Sequence, residues 1–84
     1  METIRKQREK RNVFSLLPIV ELVGQRRLLI ENHEGVLAYG TNEIKVRVSY
    51  GCIVVAGNKL QLLEMSRVKL AICGRIDGLQ LIGR

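Results

Sequence analysis

Large rings are scarce in this chain: no tryptophan, one phenylalanine (Phe14) and two tyrosines (Tyr39 and Tyr50) among 84 residues. Core volume must therefore come from Leu, Ile and Val, and little surface is left on which to stack nucleobases. Histidine is limited to His33 and cysteine to Cys52 and Cys73. Two cysteines are too few for a disulfide framework, and they are not spaced as a CxxC pair. With a single histidine they do not make a zinc site within one chain. Each lies in an apolar run, Cys52-Ile53-Val54-Val55 and Leu70-Ala71-Ile72-Cys73, as a reduced, packed thiol of a cytosolic protein would. No segment reaches the roughly 18 apolar residues of a membrane span. The stretch 13–20 is broken by Ser15 and Pro18. A basic start ahead of an apolar run has the look of a signal peptide, but the run is short and no Ala-x-Ala-like site follows, so a cytoplasmic protein is expected.

What the chain does have is alternation. In Ile44-Lys45-Val46-Arg47-Val48-Ser49-Tyr50, apolar and polar residues take turns, which marks a strand with one buried and one wet face. The pattern recurs in Leu60-Gln61-Leu62 and Val68-Lys69-Leu70-Ala71-Ile72. Strands are expected near 19–23, 27–31, 35–39, 43–50, 52–56, 59–64, 67–73 and 76–82, giving an all-β domain of about seven or eight short strands. Gly24-Gln25, Gly40-Thr41-Asn42 and Gly57-Asn58 read as turns, and Asn32-His33-Glu34-Gly35 as a four-residue hairpin loop. Gly51 marks a tight bend or bulge. Gly74 and Gly78 mark bulges or close backbone approaches.

Gly40, Gly57 and Gly74 are each seventeen residues apart, and each precedes an apolar-x-apolar triplet. Such a unit builds an antiparallel meander, roll or sandwich. The alternative is a short β-solenoid with coils of about 17 residues. Hairpin-length loops favour the meander. Residues 1–17 are expected to be a basic extension, flexible or partly helical, with the β domain spanning 18–84.

Net charge is +6, and half of that excess sits in the first twelve residues, on Arg5, Lys6, Arg8, Lys10 and Arg11 against Glu2 and Glu9. On the strands, Lys45 and Arg47 share a face, and Lys59, Arg67 and Lys69 would adjoin them if neighbouring strands pair. An anionic partner follows as one expectation: an acidic protein, an anionic membrane surface or nucleic acid. Nucleic acid is disfavoured by the missing aromatics. Each basic residue held at an anionic bilayer contributes about 1 kcal/mol, too little without an apolar anchor for firm attachment.

No constellation specifies catalysis. His33, flanked by Glu31, Asn32 and Glu34, lacks an identifiable nucleophile and orienting group. It is expected to cap or pack a turn, with partner contact as its functional alternative. Glu21, Glu31, Glu34 and Asp77 read as solvated residues, and no glycine-rich phosphate cradle occurs. A non-enzymatic protein without a cofactor is expected, and the candidate partner-binding residues are Arg5, Lys6, Arg8, Lys10, Arg11, His33, Lys45 and Arg47.

The runs Ile19-Val20-Glu21-Leu22-Val23-Gly24 and Leu28-Leu29-Ile30-Glu31-Asn32-His33-Glu34-Gly35-Val36-Leu37-Ala38-Tyr39 resemble the YabP/YqfC family of sporulation proteins. The similarity continues through Gly51-Cys52-Ile53-Val54-Val55-Ala56-Gly57-Asn58-Lys59-Leu60 and Ile72-Cys73-Gly74-Arg75-Ile76-Asp77-Gly78-Leu79, and is strongest toward the YqfC branch. Its most specific part is Ile30-Glu31-Asn32-His33-Glu34-Gly35. The resemblance implies a small protein of endospore-forming bacteria, made in the mother cell. It implies a scaffold or adaptor in spore envelope or coat assembly. It further implies protein partners, among them a membrane-associated YqfD-like sporulation protein. Location is then the mother-cell cytoplasm, or the periphery of the forespore or engulfing membrane. Exposed strand edges add the expectation of a homo-oligomer. The alternative is a small basic β module that binds nucleic acid or an anionic membrane surface.

Overall fold

A computed structural model describes residues 17–83. They form one antiparallel sheet from β1 (Ile19–Val23), β2 (Arg27–Glu31), β3 (Val36–Tyr39), β4 (Glu43–Val48), β5 (Gly51–Met65) and β6 (Lys69–Gly83), with no helix among the described residues. Strand order is β1-β2-β6-β5-β4-β3. β3 to β6 make a meander, and the β1–β2 hairpin adds to the far side of β6. Every pairing is antiparallel, so the solenoid alternative finds no support. The expected flexible or partly helical extension at 1–17 lies, but for Leu17, outside the described residues.

The sheet cannot be flat. β2 and β3 stand four strand spacings apart, about 19 Å in a planar sheet. Yet Glu31 ends β2, and the Glu34 N–H already donates to Arg47 O of β4 at 2.7 Å. Three residue steps reach at most about 11 Å. The sheet therefore curls, bringing two halves face to face. One half holds β1, β2, residues 69–73 of β6 and 61–65 of β5. The other holds β3, β4, residues 51–58 of β5 and 75–83 of β6. The core lies between them. Leu28, Ile30, Leu60, Leu70 and Ile72 come from the first half and its fold, and Ile44, Val46, Val48, Ile53 and Val55 from the second. The shortest dimension, 20 Å, suits two layers packed about 10 Å apart.

The fold line crosses β5 and β6 midway. Their register slips between Asn58 and Gln61, where Lys59 and Leu60 stand against Gly74. Lys59 has φ 53° and Gly74 φ 127°. A Cβ on Gly74 would sit 2.5 Å from Lys59 O, so the close backbone approach expected there is present. The β3–β4 turn docks on this kink: Leu60 N donates to Thr41 O at 2.8 Å and Gly57 N to Asn42 O at 3.0 Å. Gly57 and Gly74 thus mark the kink and Gly40 opens the turn that packs on it, which is what the seventeen-residue spacing reflects.

Three local expectations are corrected. The segments 52–56 and 59–64 are one strand, as are 67–73 and 76–82, which reduces eight strands to six. Gly57-Asn58 is a bulged bend inside β5 rather than a chain reversal. Asn32-His33-Glu34-Gly35 is no hairpin loop, because β2 and β3 lie at different places in the sheet; it is the crossing from one half to the other. At Gly78 the bulge is the alternative that holds: the register slips between Gly78 and Ile76, and open space lies where a Cβ would go.

Candidate interface at the open side of the roll

Residues opposite one another in an antiparallel pair share a face. Val20 and Leu22 of β1 stand opposite Ile30 and Leu28, while Leu79 and Leu81 of β6 stand opposite Val55 and Ile53. All eight therefore lie on the core side of the sheet. The inner four are fully buried, but Val20, Leu22, Leu79 and Leu81 remain 37%, 47%, 36% and 62% exposed. The apolar rows run out of the core into solvent on this side. Leu17, Pro18, Val20, Tyr50, Leu79 and Leu81 line an open depression of about 450 Å³ there.

Two strand edges frame it. β6 pairs with β2 only through residues 69–73, so among the described residues 77–83 have no strand partner on that side. Among the described residues, β1 has no neighbour beyond it. Neither edge carries a bulge against its inner neighbour over 19–23 or 78–83. The opposite side differs. There β3 is short and bulged between Val36 and Ala38, and the end of β5 is bulged between Leu62 and Glu64, both devices that blunt an edge. Sequence alternation pointed Val20, Leu22, Leu79 and Leu81 toward a core, and only the three-dimensional arrangement leaves them uncovered.

His33 is buried at the crossing between halves. Its Nδ1 accepts from the Gly35 N–H at 3.0 Å, so Nε2 carries the proton and donates to Ser66 O at 2.9 Å. Both ring nitrogens are spent on main chain. Asn32, with φ 67°, donates from its side chain to Leu17 O at 2.8 Å and from its main chain to Val68 O at 2.6 Å. The segment ties the crossing to the β5–β6 turn and to the start of β1. His33→Ala would leave the Ser66 carbonyl and the Gly35 N–H without these bonds, a loss of about 2 kcal/mol. Thermal unfolding followed by circular dichroism should show a midpoint lower by roughly 10 °C.

Lys45 and Arg47 do share the outer face of β4, opposite Val54 and Cys52. The basic residues expected beside them lie elsewhere. Lys69 is in the other half, 3.8 Å from Glu31, Lys59 is in the kink, and Arg67 is in the β5–β6 turn. Arg5, Lys6, Arg8, Lys10 and Arg11 fall outside the described residues. Tyr39 is exposed on β3, whereas Tyr50 packs against the core. Cys52 and Cys73 are free thiols, one opposite Ile82 and the other opposite Gln61. Among the described residues no group of three His, Cys, Asp or Glu is placed to hold a metal, and no helix is long and apolar enough to cross a membrane.

These features define a small curled β domain whose distinguishing surface is an apolar opening between two strand edges. The chain belongs to the YabP family, which it matches over residues 18–84. It is similar to the uncharacterized protein YqfC of Bacillus subtilis (strain 168), with 27% identity over 66 residues that cover 79% of this chain and 71% of that protein. No solved structure matches. The resemblance legible in the sequence is thus confirmed, and the family points to sporulation.

Proposed function

We propose that this chain is a non-enzymatic assembly protein of sporulation, working in the mother cell through sheet-edge pairing, and that its immediate partner is a second copy of itself. The observation that carries this is the C-terminal part of β6, residues 78–83. It is a regular, uncharged edge with Leu79, Leu81 and Ile82 exposed. Such an edge is a template for strand addition unless something blunts it.

The strand is also self-complementary. Antiparallel pairing about a two-fold axis perpendicular to the sheet must join residues of like parity, so that the faces match. An axis at Gln80 sets Leu79 of one copy opposite Leu81 of the other, and the reverse, on the apolar side. Ile82 then faces Gly78, and Asp77 faces Gly83, so no like charges meet. The isologous contact extends one half of the roll into a continuous sheet across two copies. It also covers the two leucines that border the open depression. The edge of β1 stays available for a different partner, such as a membrane-associated YqfD-like protein.

Sedimentation velocity on the full chain over a concentration series tests this. The wild type is expected to form dimers or larger discrete species. Leu81→Lys should weaken association at least about tenfold, since each dimer contains the substitution twice. Because Leu81 is mostly exposed, circular dichroism and the thermal midpoint of the monomer should be retained. A wild type that stays monomeric throughout, or a variant that associates equally well, overturns the proposal.

A further inference from the structure

On its outer side the kink gathers positive charge. The β1–β2 turn is pinned there by main-chain bonds: Gly74 N donates to Arg26 O at 3.2 Å and Ile76 N to Gln25 O at 2.8 Å. That brings Arg26 to a depression of about 350 Å³ whose other walls are Asn58, Lys59, Gly74 and Arg75. Asn58 and Arg75 stand directly opposite one another on β5 and β6. Among the described residues, no carboxylate lines the depression. Asp77 accepts from Arg75 Nε at 3.1 Å, which leaves the terminal guanidinium nitrogens available. Arg26 and Lys59 have no ion pair among the described residues.

This arrangement works against stability in two ways. Cations are held close without a neutralising wall. Lys59 also takes a left-handed backbone conformation, φ 53°, which glycine or asparagine adopts at lower cost. A long cationic side chain at a strained position is a reason to look for a ligand. Two guanidinium groups, an ammonium and an amide supply many donors and no acceptor-only group. The matching ligand is compact, multiply charged and rich in acceptor oxygens. A phosphate monoester carries about −1.5 to −2 charges and three such oxygens near neutral pH, more than a carboxylate offers.

We propose that the kink is a binding site for a phosphate group, held by Arg26, Lys59 and Arg75 with Asn58 and with Gly74 as its floor. The group is either a soluble phosphate or the headgroup of a phosphomonoester lipid, and the same donors serve both. The site is separate from the β6 edge, so Leu81→Lys leaves it intact and the two proposals fail independently.

The test uses the full chain labelled with nitrogen-15. Sodium phosphate is titrated against sodium chloride at matched ionic strength, and flotation is measured with phosphatidylcholine vesicles with and without phosphatidic acid. Phosphate is expected to shift the amide signals of Asn58, Lys59 and Gly74 saturably. The double variant Arg26→Gln/Lys59→Gly should lose at least about tenfold in phosphate affinity. Glycine suits φ 53°, so this variant keeps the fold, and an unchanged spectrum elsewhere verifies that. If the variant also stops floating with phosphatidic acid, the lipid headgroup is the source. If flotation is unchanged while the phosphate shifts are lost, the source is a soluble phosphate and the basic N-terminal residues account for vesicle binding. Shifts that chloride reproduces, or that the variant retains, overturn the proposal.

Discussion

Gly57→Ala is expected to remove a large share of the chain's stability, read as a marked drop in the midpoint of urea unfolding. A Cβ at this position would run into Arg75 O on the neighbouring strand and come within 2.9 Å of Leu60 Cδ2. The side-chain contact can give a little, but the carbonyl cannot. Arg75 is fixed by its pairing with Asn58, and Gly57 itself is tied to the β3–β4 turn through its N–H on Asn42 O. Relief requires β5 and β6 to part at the line where the roll closes. The cost is about 3–5 kcal/mol, in the range of severe overpacking and backbone displacement. The whole stability of a domain this size is about 4–13 kcal/mol. Gly78→Ala is the matched control: one strand over, with open space around the added methyl and no positive φ, it should shift the midpoint of urea unfolding very little. Equal effects at the two positions would mean that the kink does not govern the fold.

The kink is also where the sequence stops being readable. Alternation locates strands well, because a half-buried strand needs it; β1, β2, β3 and β4 lie within two residues of their expected bounds. A bulge breaks alternation in the same way that a turn does, and Gly-Asn suits both. Local pattern therefore cannot separate one long bent strand from two short ones, as at Gly57-Asn58. Pairing over long range is equally silent in the local pattern. Nothing near Asn32 says that β2 joins β6 while the chain goes on to β4, so the loop looks like a hairpin. His33 could be read as capping or packing its turn, but its ring partner Ser66 lies 33 residues away. For the candidate interface, alternation identifies the apolar face of β1 and of the end of β6. Whether that face is covered depends on how far the opposing layer extends, a property of the curl and not of either strand. The positive cluster has the same origin: Arg26, Lys59 and Arg75 are scattered in sequence, and only the docking of one turn on a bulge brings them together.

Leu60→Ala carries the second large effect, and it shows what the bulge at Lys59 is for. Ile53 and Val55 point into the core with the parity of a regular strand, which would send Leu60, five residues after Val55, to the outside. The extra residue in the register slip between Asn58 and Gln61 resets the phase. Leu60 then enters the core with no exposure, and Leu62 follows on the same side, packed against the core opposite Ile72. Leu63, displaced by the next slip, is left 52% exposed. Truncating Leu60 removes apolar area and leaves a cavity at the fold line, where both layers are already anchored by main-chain bonds and collapse least. A loss of about 3–4 kcal/mol follows, in the upper part of the range for Leu to Ala in cores. Leu63→Ala should change stability by less than about 0.5 kcal/mol. Urea unfolding of the pair measures both. A large effect at Leu60 beside a negligible one at Leu63 would establish that the bulge assigns β5 its faces, so that one strand closes the core with its first half and reaches past the bend to close it again with its second.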